Sequence, residues 1–382
     1  MKIVADDKIP FLKGTLEPFA EVIYLPGKQI ARKDLKDADA LIIRTRTKCT
    51  SELLEDTPVQ FIGTATIGFD HIDTQFCEKH KIQWTNAPGC NSSSVQQYIA
   101  SVLLKISSEF GFSLKDKTIG IVGVGNVGSK VEKFARILGM KVLLCDPPRA
   151  RKEENSKFTK LKILLRESDI VTIHVPLDFV TEDKTYHLFG QKSFKMMKKG
   201  AFYINSSRGE VVDTASVKTV LRSGWLSGAV FDVWENEPDI DLDLMTNAFI
   251  STPHIAGYST DGKANGTAMV VNALSEKFNL PLKNWYPPEV PPPVQPVIEM
   301  DVKGKTIEEI ISEAIIHTYN ISEDEGKLRS SPAGFEKQRD DYPLRREFPA
   351  YSISLSNSNK KILKLLEELG FKVVPPSDPG HK

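Results

Sequence analysis

The chain has 382 residues, of which 40% are hydrophobic and 26% are charged. This is the composition of a folded globular protein with room for two or three domains, and it excludes disordered chains, fibrous chains and small disulfide-bonded domains. The 50 basic residues balance the 50 acidic residues. No overall positive field is therefore available to collect nucleic acid or an anionic membrane.

The absence of a recognisable targeting signal and the spacing of the cysteines favour a cytoplasmic protein. The N-terminus lacks the long apolar segment of a signal peptide, and no apolar run approaches the roughly 18 residues that span a bilayer. The cysteines form no C-x-x-C pair, which indicates reduced thiols and predicts neither a zinc site nor a redox motif. They are Cys49, Cys77, Cys90 and Cys145. We expect a cytoplasmic protein without a metal, nucleic-acid or membrane partner.

Short β-like runs alternate with helical stretches over the first hundred residues, which is typical of a parallel sheet with crossover helices. The predicted strands cover residues 2–5, 21–25, 40–44, 60–63 and 82–85. A helix is predicted from Ser93, which begins a capping box that ends at Gln96. At the end of the third strand Arg44, Arg46 and Lys48 alternate, so they project to one side if the extended geometry persists.

A second α/β series begins at residue 118, and its near-continuous apolar strands predict a sheet covered on both faces. The predicted strands cover residues 118–122, 141–145, 170–175, 201–205, 227–233 and 249–251. Helical spacing then returns over residues 257–280, and this helix is placed to cover the first series.

Six prolines crowd the stretch from residue 287 to residue 296, which predicts a stiff linker and the clearest domain boundary. Beyond it we predict a domain of α+β type. Its strands cover residues 297–302, 352–355 and 371–374, its helices begin near residues 306 and 360, and a charged loop covers residues 323–349. The predicted fold is therefore α/β, with two doubly wound parallel-sheet domains of Rossmann or flavodoxin-like type and a C-terminal α+β domain.

A glycine-rich motif follows the strand at residues 118–122 and opens a helix, which is the context of a dinucleotide-binding loop. The candidate cofactor-binding residues of this loop are Gly123, Gly125, Asn126, Val127 and Gly128. After the next strand, Asp146 is placed to accept hydrogen bonds from ribose hydroxyls and to repel a 2′-phosphate, which favours NAD. Arg149, three residues later, keeps NADP open as an alternative.

Three polar segments each follow a predicted strand of the second series, at the edge where doubly wound sheets bind ligands. They are residues 205–209, 232–238 and 252–257. In this order they resemble the fingerprint of the NAD-dependent D-2-hydroxyacid dehydrogenases, and residues 62–73 resemble the substrate-domain signature of that family. The resemblance covers residues 1 to about 285 and implies three catalytic residues, which are Arg208, Glu237 and His254.

These three residue types fit the oxidation of a 2-hydroxy acid. Removal of the hydroxyl proton needs a base, and imidazole suits that task, so we assign it to His254. A carboxylate partner stabilises and orients a protonated imidazole, and motif order selects Glu237 over the nearby Glu235 and Asp239. Arg208 offers a planar fork that matches a substrate carboxylate.

Three further motifs lie at residues 63–66 with 70–71, at residues 145–149 and at residues 254–258. Together they resemble the branch of the family that oxidises 4-phospho-D-erythronate to 2-oxo-3-hydroxy-4-phosphobutanoate in pyridoxal 5′-phosphate (vitamin B6) synthesis. This resemblance implies a homodimer that forms through the C-terminal domain. It divides the chain into a substrate-binding domain (1–95 with 257–286), an NAD-binding Rossmann domain (96–256) and a dimerisation domain (287–382). Further cofactor contacts are implied at Val175, Ser206, Asp232 and Gly257. The candidate substrate residues are Arg44, Thr45, Thr66 and Tyr258.

Alternatives to this function remain open from the sequence. The same Arg, Glu and His would serve a 3-phosphoglycerate or glycerate dehydrogenase, and a similar scaffold serves NAD-sensing corepressor-like binding proteins. Two hinges are expected, near residues 95–100 and 256–260. The basic pair Arg345 and Arg346 suggests a hypothesis in which one subunit adds positive charge to the partner's active site.

Overall fold

The computed structural model describes residues 1–153 and 157–375. The described residues form two compact units, one within residues 1–91 and 259–291 and the other within residues 92–258 and 292–375. The sequence predicts a boundary between residues 96–256 and residues 287–382. In the structure most of the C-terminal segment belongs to the same unit as the dinucleotide-binding residues, because the two segments share one apolar core. The division into three functional domains stays a prediction.

All three sheets of the described chain are parallel, as the sequence predicts for the first two. The first sheet contains β1 (Lys2–Asp6), β2 (Glu21–Leu25), β3 (Ala40–Ile43), β4 (Phe61–Thr64) and β5 (Gln83–Thr85). The second contains β6 (Thr118–Val122), β7 (Lys141–Cys145), β8 (Ile170–Ile173), β9 (Phe202–Asn205), β10 (Gly228–Phe231) and β11 (Ile250–Ser251). The third contains β12 (Val297–Asp301), β13 (Ser352–Ser356) and β14 (Lys372–Val374).

Helices connect the strands, and side chains cap several of them. In chain order they are α1 (Ser51–Leu54), α2 (Thr74–Lys79), α3 (Ser92–Phe110), α4 (Asn126–Ile137), α5 (Pro147–Glu153), α6 (Leu161–Glu167), α7 (Gln191–Met196), α8 (Thr214–Arg222), α9 (Leu242–Asn247), α10 (Thr260–Phe278), α11 (Ile307–Thr318), α12 (Ile321–Ser330), α13 (Phe335–Asp340) and α14 (Lys360–Leu369). Thr306 and Glu309 form a capping box at the start of α11. Among the described helices, none combines the length and apolarity that a bilayer crossing requires.

The first unit has the strand order β2-β1-β3-β4-β5, which is the flavodoxin-like order. One face of the sheet packs against α10, whose Val270, Val271 and Leu274 share a core with Ile3 and Phe61. The other face packs against α1 and α2. The expectation that the helix near residues 257–280 returns to cover the first sheet is therefore confirmed.

The second sheet has the order β11-β10-β9-β8-β6-β7, so the direction of winding reverses between β6 and β8. The carboxyl ends of β6 and β8 border the position where ligands bind in open α/β sheets. Both faces of this sheet are buried in apolar cores. These features confirm the predicted doubly wound fold.

The C-terminal segment differs from its prediction in two ways. Its strands lie in the order β12-β13-β14 and are all parallel, with helices between them, so its arrangement is α/β rather than α+β. Residues 323–349, predicted as a loop, contain most of α12 and all of α13. These helices bury few side chains, chiefly Ile321, Leu328 and Phe335, so their apolar periodicity is too short to identify them from the sequence.

Candidate active site

The loop between β6 and α4 has the geometry of a dinucleotide-binding turn. A Cβ atom on Gly128 would lie 2.1 Å from the carbonyl oxygen of Gly123, so only glycine permits this close approach. The first residues of α4 are Asn126 and Val127. The positive N-terminal end of the α4 dipole therefore lies at the loop. A Cβ on the exposed Gly125 would meet no atom within 4 Å. The loop therefore leaves room for a pyrophosphate.

Asp146 and Ser206 also fit a dinucleotide. The Asp146 carboxylate accepts hydrogen bonds from the backbone N–H groups of Val124 (2.8 Å) and Arg149 (3.0 Å), which fixes it beside the glycine loop. The Arg149 guanidinium is engaged by Glu153 at 2.5 Å and by the Val124 carbonyl, which disfavours its use on a 2′-phosphate. Ser206 Oγ is buried and has no hydrogen-bond partner among the described residues, so a ligand atom is a suitable partner for it.

The remaining predicted cofactor residues lie along the same edge of the second sheet. Each follows the carboxyl end of a different strand, and they are Val175 after β8, Ser206 after β9, Asp232 after β10 and Gly257 beyond β11. The structure therefore places the predicted cofactor residues along one edge. Their direct contact with NAD stays a prediction.

His254 and Glu237 form a hydrogen-bonded pair at this edge. Nδ1 of His254 lies 2.7 Å from Oε2 of Glu237, while Oε1 of Glu237 accepts a hydrogen bond from the backbone N–H of Trp234 at 2.9 Å. Both side chains are partly buried, with 31% of His254 and 20% of Glu237 exposed. His254 has a φ of 56°, a left-handed conformation that is uncommon for a residue with a side chain. The fold therefore holds the imidazole in a defined position.

Asp232 holds the backbone that presents His254. Its carboxylate accepts hydrogen bonds from the Thr252 hydroxyl (2.7 Å) and from the backbone N–H groups of Ile255 (2.8 Å) and Ala256 (2.9 Å). Its carbonyl oxygen accepts a hydrogen bond from the His254 N–H at 2.7 Å. These contacts explain how the left-handed conformation at His254 persists.

The charges of the pair are set by burial and by their neighbours. Burial alone would raise the pKa of Glu237, but the charge and hydrogen bond of His254, the Trp234 N–H and the charge of Arg339 hold that pKa below its usual value. Burial raises the pKa of Asp232 despite the hydrogen bonds that its carboxylate accepts. Glu237 is therefore the better-stabilised anion of these two carboxylates.

Arg208 follows β9 in a loop that is tied to its own strand. The Asn205 side chain donates to the Arg208 carbonyl at 2.9 Å and accepts from the Ser207 N–H at 3.0 Å. The Arg208 guanidinium donates to the Ser207 carbonyl at 2.8 Å. A Cβ on Gly209 would lie 2.0 Å from the Trp234 carbonyl, so this glycine brings the Arg208 loop against the loop that carries Glu237.

Glu235 is hydrogen-bonded to His187 and Thr214 and not to His254, which agrees with the choice of Glu237 as the partner of His254. Its Oε1 lies 2.7 Å from Nε2 of His187, and its Oε2 accepts from the backbone N–H of Thr214 at 2.9 Å. Asp213, whose carboxylate lies nearby, accepts from the Ser216 N–H at the same end of α8. Hydrogen bonds at the N-terminus of α8 account for this cluster.

The candidate substrate residues are divided between the two units. Arg44 and Thr45 follow β3 and Thr66 follows β4 in the first unit, whereas Tyr258 belongs to the second. The extended geometry does not persist through residues 44–48, because β3 ends at Ile43 and the Thr47 N–H donates to the Arg44 carbonyl in a turn. The three basic side chains are therefore not aligned by a strand. The Arg44 guanidinium instead pairs with the buried carboxylate of Asp6 at 3.3 Å.

Arg345 is buried within its own chain, with 4% of its surface exposed. Its guanidinium donates to the Gln97 side chain (2.9 Å) and to the Ser94 (2.5 Å) and Ala256 (3.2 Å) carbonyls, and it lies 3.9 Å from the ring centroid of Tyr319. The hypothesis that Arg345 reaches a partner's active site is therefore wrong. The same hypothesis for Arg346 stays a prediction.

A basic residue that no sequence motif indicates lies beside the pair. Arg339, on α13, has its Nη1 4.0 Å from Oε2 of Glu237 and its guanidinium carbon 5.8 Å from the ring centroid of Tyr258. No local motif distinguishes it from the other charges of residues 323–349. Its position depends on contacts between segments far apart in the sequence.

The family comparisons agree with this geometry. The family described as D-isomer specific 2-hydroxyacid dehydrogenase, NAD binding domain, matches residues 94–256, and a domain of unknown function, DUF3410, matches residues 292–370. Erythronate-4-phosphate dehydrogenase from Bacteroides fragilis is 50% identical over 93% of this chain and 100% of its own length. The chain belongs to the erythronate-4-phosphate dehydrogenase family. The family's NAD-binding domain identifies the dinucleotide as NAD and the protein as an NAD-dependent dehydrogenase.

Further relatives of the erythronate-4-phosphate dehydrogenase family extend this result. The enzyme of that name from Porphyromonas gingivalis is 42% identical over 95% of this chain and 98% of its own. The solved structure of D-lactate dehydrogenase from Aquifex aeolicus, complexed with NAD and lactic acid, has 27% identity and a TM-score of 0.61. It covers 73% of this chain and 96% of its own, so part of this chain has no counterpart there.

Proposed function

We propose that this chain oxidises 4-phospho-D-erythronate to 2-oxo-3-hydroxy-4-phosphobutanoate, with NAD as the hydride acceptor. The observation that carries the proposal is the 2.7 Å contact between His254 and Glu237 at the carboxyl edge of the NAD-binding sheet. The choice of substrate is supported by relatives of that name at 50% and 42% identity, which cover nearly the whole chain.

His254 is the proposed base. Glu237 engages Nδ1, which leaves Nε2 as the ring nitrogen that accepts the proton of the C2 hydroxyl. The positive charge that the ring gains is stabilised by the carboxylate 2.7 Å away. NAD, when bound, supplies the acceptor for the hydride that leaves C2.

Arg208 is the proposed ligand of the substrate carboxylate. A planar guanidinium binds a carboxylate with two parallel hydrogen bonds and polarises the carbonyl that forms beside it. Arg44, Thr45, Thr66 and Tyr258 are the further proposed substrate residues.

The substrate assignment is tested by NADH formation with purified protein. We expect a much higher kcat/KM for 4-phospho-D-erythronate than for 3-phosphoglycerate or glycerate. A preference for 3-phosphoglycerate or glycerate would contradict the substrate but leave the dehydrogenase chemistry intact. Loss of turnover in His254→Gln, with unchanged NAD affinity, is expected for whichever hydroxy acid is used.

We further propose a cytoplasmic homodimer that contributes to pyridoxal 5′-phosphate synthesis. The four cysteines are buried and form no disulfide bond within the described chain, which suits a reducing compartment. Large apolar side chains of the C-terminal segment are exposed, including Val294 (90%), Val297 (50%) and Ile316 (52%), which suits an interface between subunits. Sedimentation velocity should give the mass of two chains, and the mass of one chain would contradict the dimer.

A further inference from the structure

Arg339 carries a guanidinium whose hydrogen-bonding capacity is unused. Its side chain is 19% exposed, and Nε is buried with no partner among the described residues. The other guanidinium nitrogens also donate no hydrogen bond within the described chain; its one ion pair, to Glu237, is 4.0 Å long. A mostly buried guanidinium without hydrogen bonds is unfavourable unless another group supplies acceptors.

Glu237 does not need Arg339 as a partner. One of its oxygens accepts from the Trp234 N–H and the other accepts from His254, at 2.9 Å and 2.7 Å. At 4.0 Å, Arg339 contributes charge to Glu237 but no hydrogen bond. The donors of Arg339 therefore remain available beside the proposed base.

The rings of Tyr258 and Phe335 restrict where this guanidinium lies. Its carbon is 5.8 Å from the ring centroid of Tyr258 and 5.7 Å from that of Phe335, which is within the range of cation–π contacts. Phe335 is 1% exposed, so the helix that bears Arg339 is anchored in the core of the second unit. The guanidinium is thus held near the pair and near a proposed substrate residue.

We propose that Arg339 binds the phosphate group of the substrate and so makes the C-terminal segment a determinant of substrate specificity. This inference rests on the proposed function, which gives the substrate a carboxylate at C1 and a phosphate at C4. Arg208 is assigned to the carboxylate. Arg44 is a proposed substrate residue, but the Asp6 carboxylate offsets its charge, so a doubly charged phosphate calls for a further cation. A guanidinium fork matches phosphate oxygens in two-bond geometry.

The location of Arg339 in the sequence agrees with this role. It lies outside the NAD-binding match at residues 94–256 and inside the separate match at residues 292–370. The structure solved with lactic acid aligns 96% of its length to only 73% of this chain, and lactic acid has no phosphate. A phosphate-binding arginine outside the NAD-binding match would add recognition of the phosphate without altering the catalytic pair.

The test compares Arg339→Gln with wild type on two substrates, 4-phospho-D-erythronate and D-erythronate, which differ only by the phosphate. We expect KM for the phosphorylated substrate to rise about 10- to 100-fold, the range for lost hydrogen bonds to a charged group. The kcat/KM for D-erythronate should fall much less, because only the charge that Arg339 contributes to Glu237 is lost there, and the Kd for NAD should not change. Lys337→Gln removes an exposed charge from the same helix and should leave all three values at the wild-type level.

Equal losses on both substrates would overturn the proposal, because Arg339 would then act through Glu237. Unchanged kinetics on both would also overturn it. If Arg339→Gln does not fold, Arg339→Lys keeps the charge and loses the planar fork, and a selective rise in KM for the phosphorylated substrate is still expected.

Absence of any turnover of 4-phospho-D-erythronate by wild type would instead refute the proposed function. Calorimetry of inorganic phosphate binding to the NAD-bound protein then tests Arg339 separately, and equal affinity in wild type and Arg339→Gln would overturn its role.

Discussion

Glu237→Gln removes the charge of the catalytic pair with little change of shape. The two carboxylate oxygens of Glu237 accept from two different donors, the Trp234 N–H at 2.9 Å and Nδ1 of His254 at 2.7 Å. A glutamine amide has one acceptor oxygen and one donor nitrogen, so it cannot accept from both. If the oxygen stays with Trp234, the amide N–H faces Nδ1 and forces the hydrogen of the neutral ring onto Nε2. That tautomer cannot take a proton from the substrate hydroxyl.

The expected loss follows from the role of the base. General base catalysis contributes about 10²- to 10⁴-fold in rate, which corresponds to about 2.7 to 5.5 kcal/mol of activation free energy. We therefore expect kcat for 4-phospho-D-erythronate to fall by about 10²- to 10⁴-fold. The Kd for NAD should stay at the wild-type value, because Glu237 is hydrogen-bonded to Trp234 and His254 and these residues lie outside the glycine loop.

The assay is the initial rate of NADH formation at saturating NAD and substrate. Glu235→Gln is a matched control, since Glu235 also lies 2.7 Å from a histidine and is similarly exposed, at 18% against 20%. Its kcat should remain near wild type. If Glu235→Gln lost as much activity as Glu237→Gln, or if Glu237→Gln kept wild-type kcat, the assignment of the pair would be refuted.

Further variants test the loop, the buried arginine and the pH dependence. Gly128→Ala places a Cβ 2.1 Å from a loop carbonyl and should destabilise the fold by about 1–3 kcal/mol. Gly125→Ala should keep the wild-type Tm and weaken only NAD binding, as measured by calorimetry. A lower Tm for Gly125→Ala with a wild-type Tm for Gly128→Ala would contradict the loop geometry. Arg345→Met should lower the free energy of unfolding by about 2–4 kcal/mol, as measured in urea, and an unchanged value would contradict its buried role. The pKa of Glu237 lies below its usual value in the folded protein, so its charge stabilises the fold above pH 4.5 and this stabilisation is lost as the pH falls below that value. The difference in free energy of unfolding between wild type and Glu237→Gln should accordingly shrink on acidification. A difference that grows would contradict the lowered pKa of Glu237.

Local sequence patterns were sufficient to predict much of the fold. The strands at residues 118–122 and 141–145 have the predicted bounds, because buried parallel strands are continuous apolar runs. The segments that carry Arg208, Glu237 and His254 follow neighbouring strands of one parallel sheet. Since carboxyl ends of parallel strands share an edge, their order along the chain was enough to group them.

Long-range contacts explain what the sequence did not predict. Arg345 donates to Gln97, 248 residues away, and no local pattern records such a contact. Residues 323–349 bury too few side chains to show a helical period, so α13 and Arg339 were missed. At residues 44–48, the Thr47 hydroxyl donates to the Gly27 carbonyl, and this side-chain contact accompanies a turn where extension was expected.

Isotope transfer tests the proposed reaction most directly. We would incubate wild-type protein with NAD and 4-phospho-D-erythronate that carries deuterium at C2, and analyse the NADH by mass spectrometry. We expect one deuterium in each NADH formed, because the hydride leaves the carbon whose hydroxyl proton His254 accepts. Deuterium released to water, or retained at C2 while NADH forms, would contradict it.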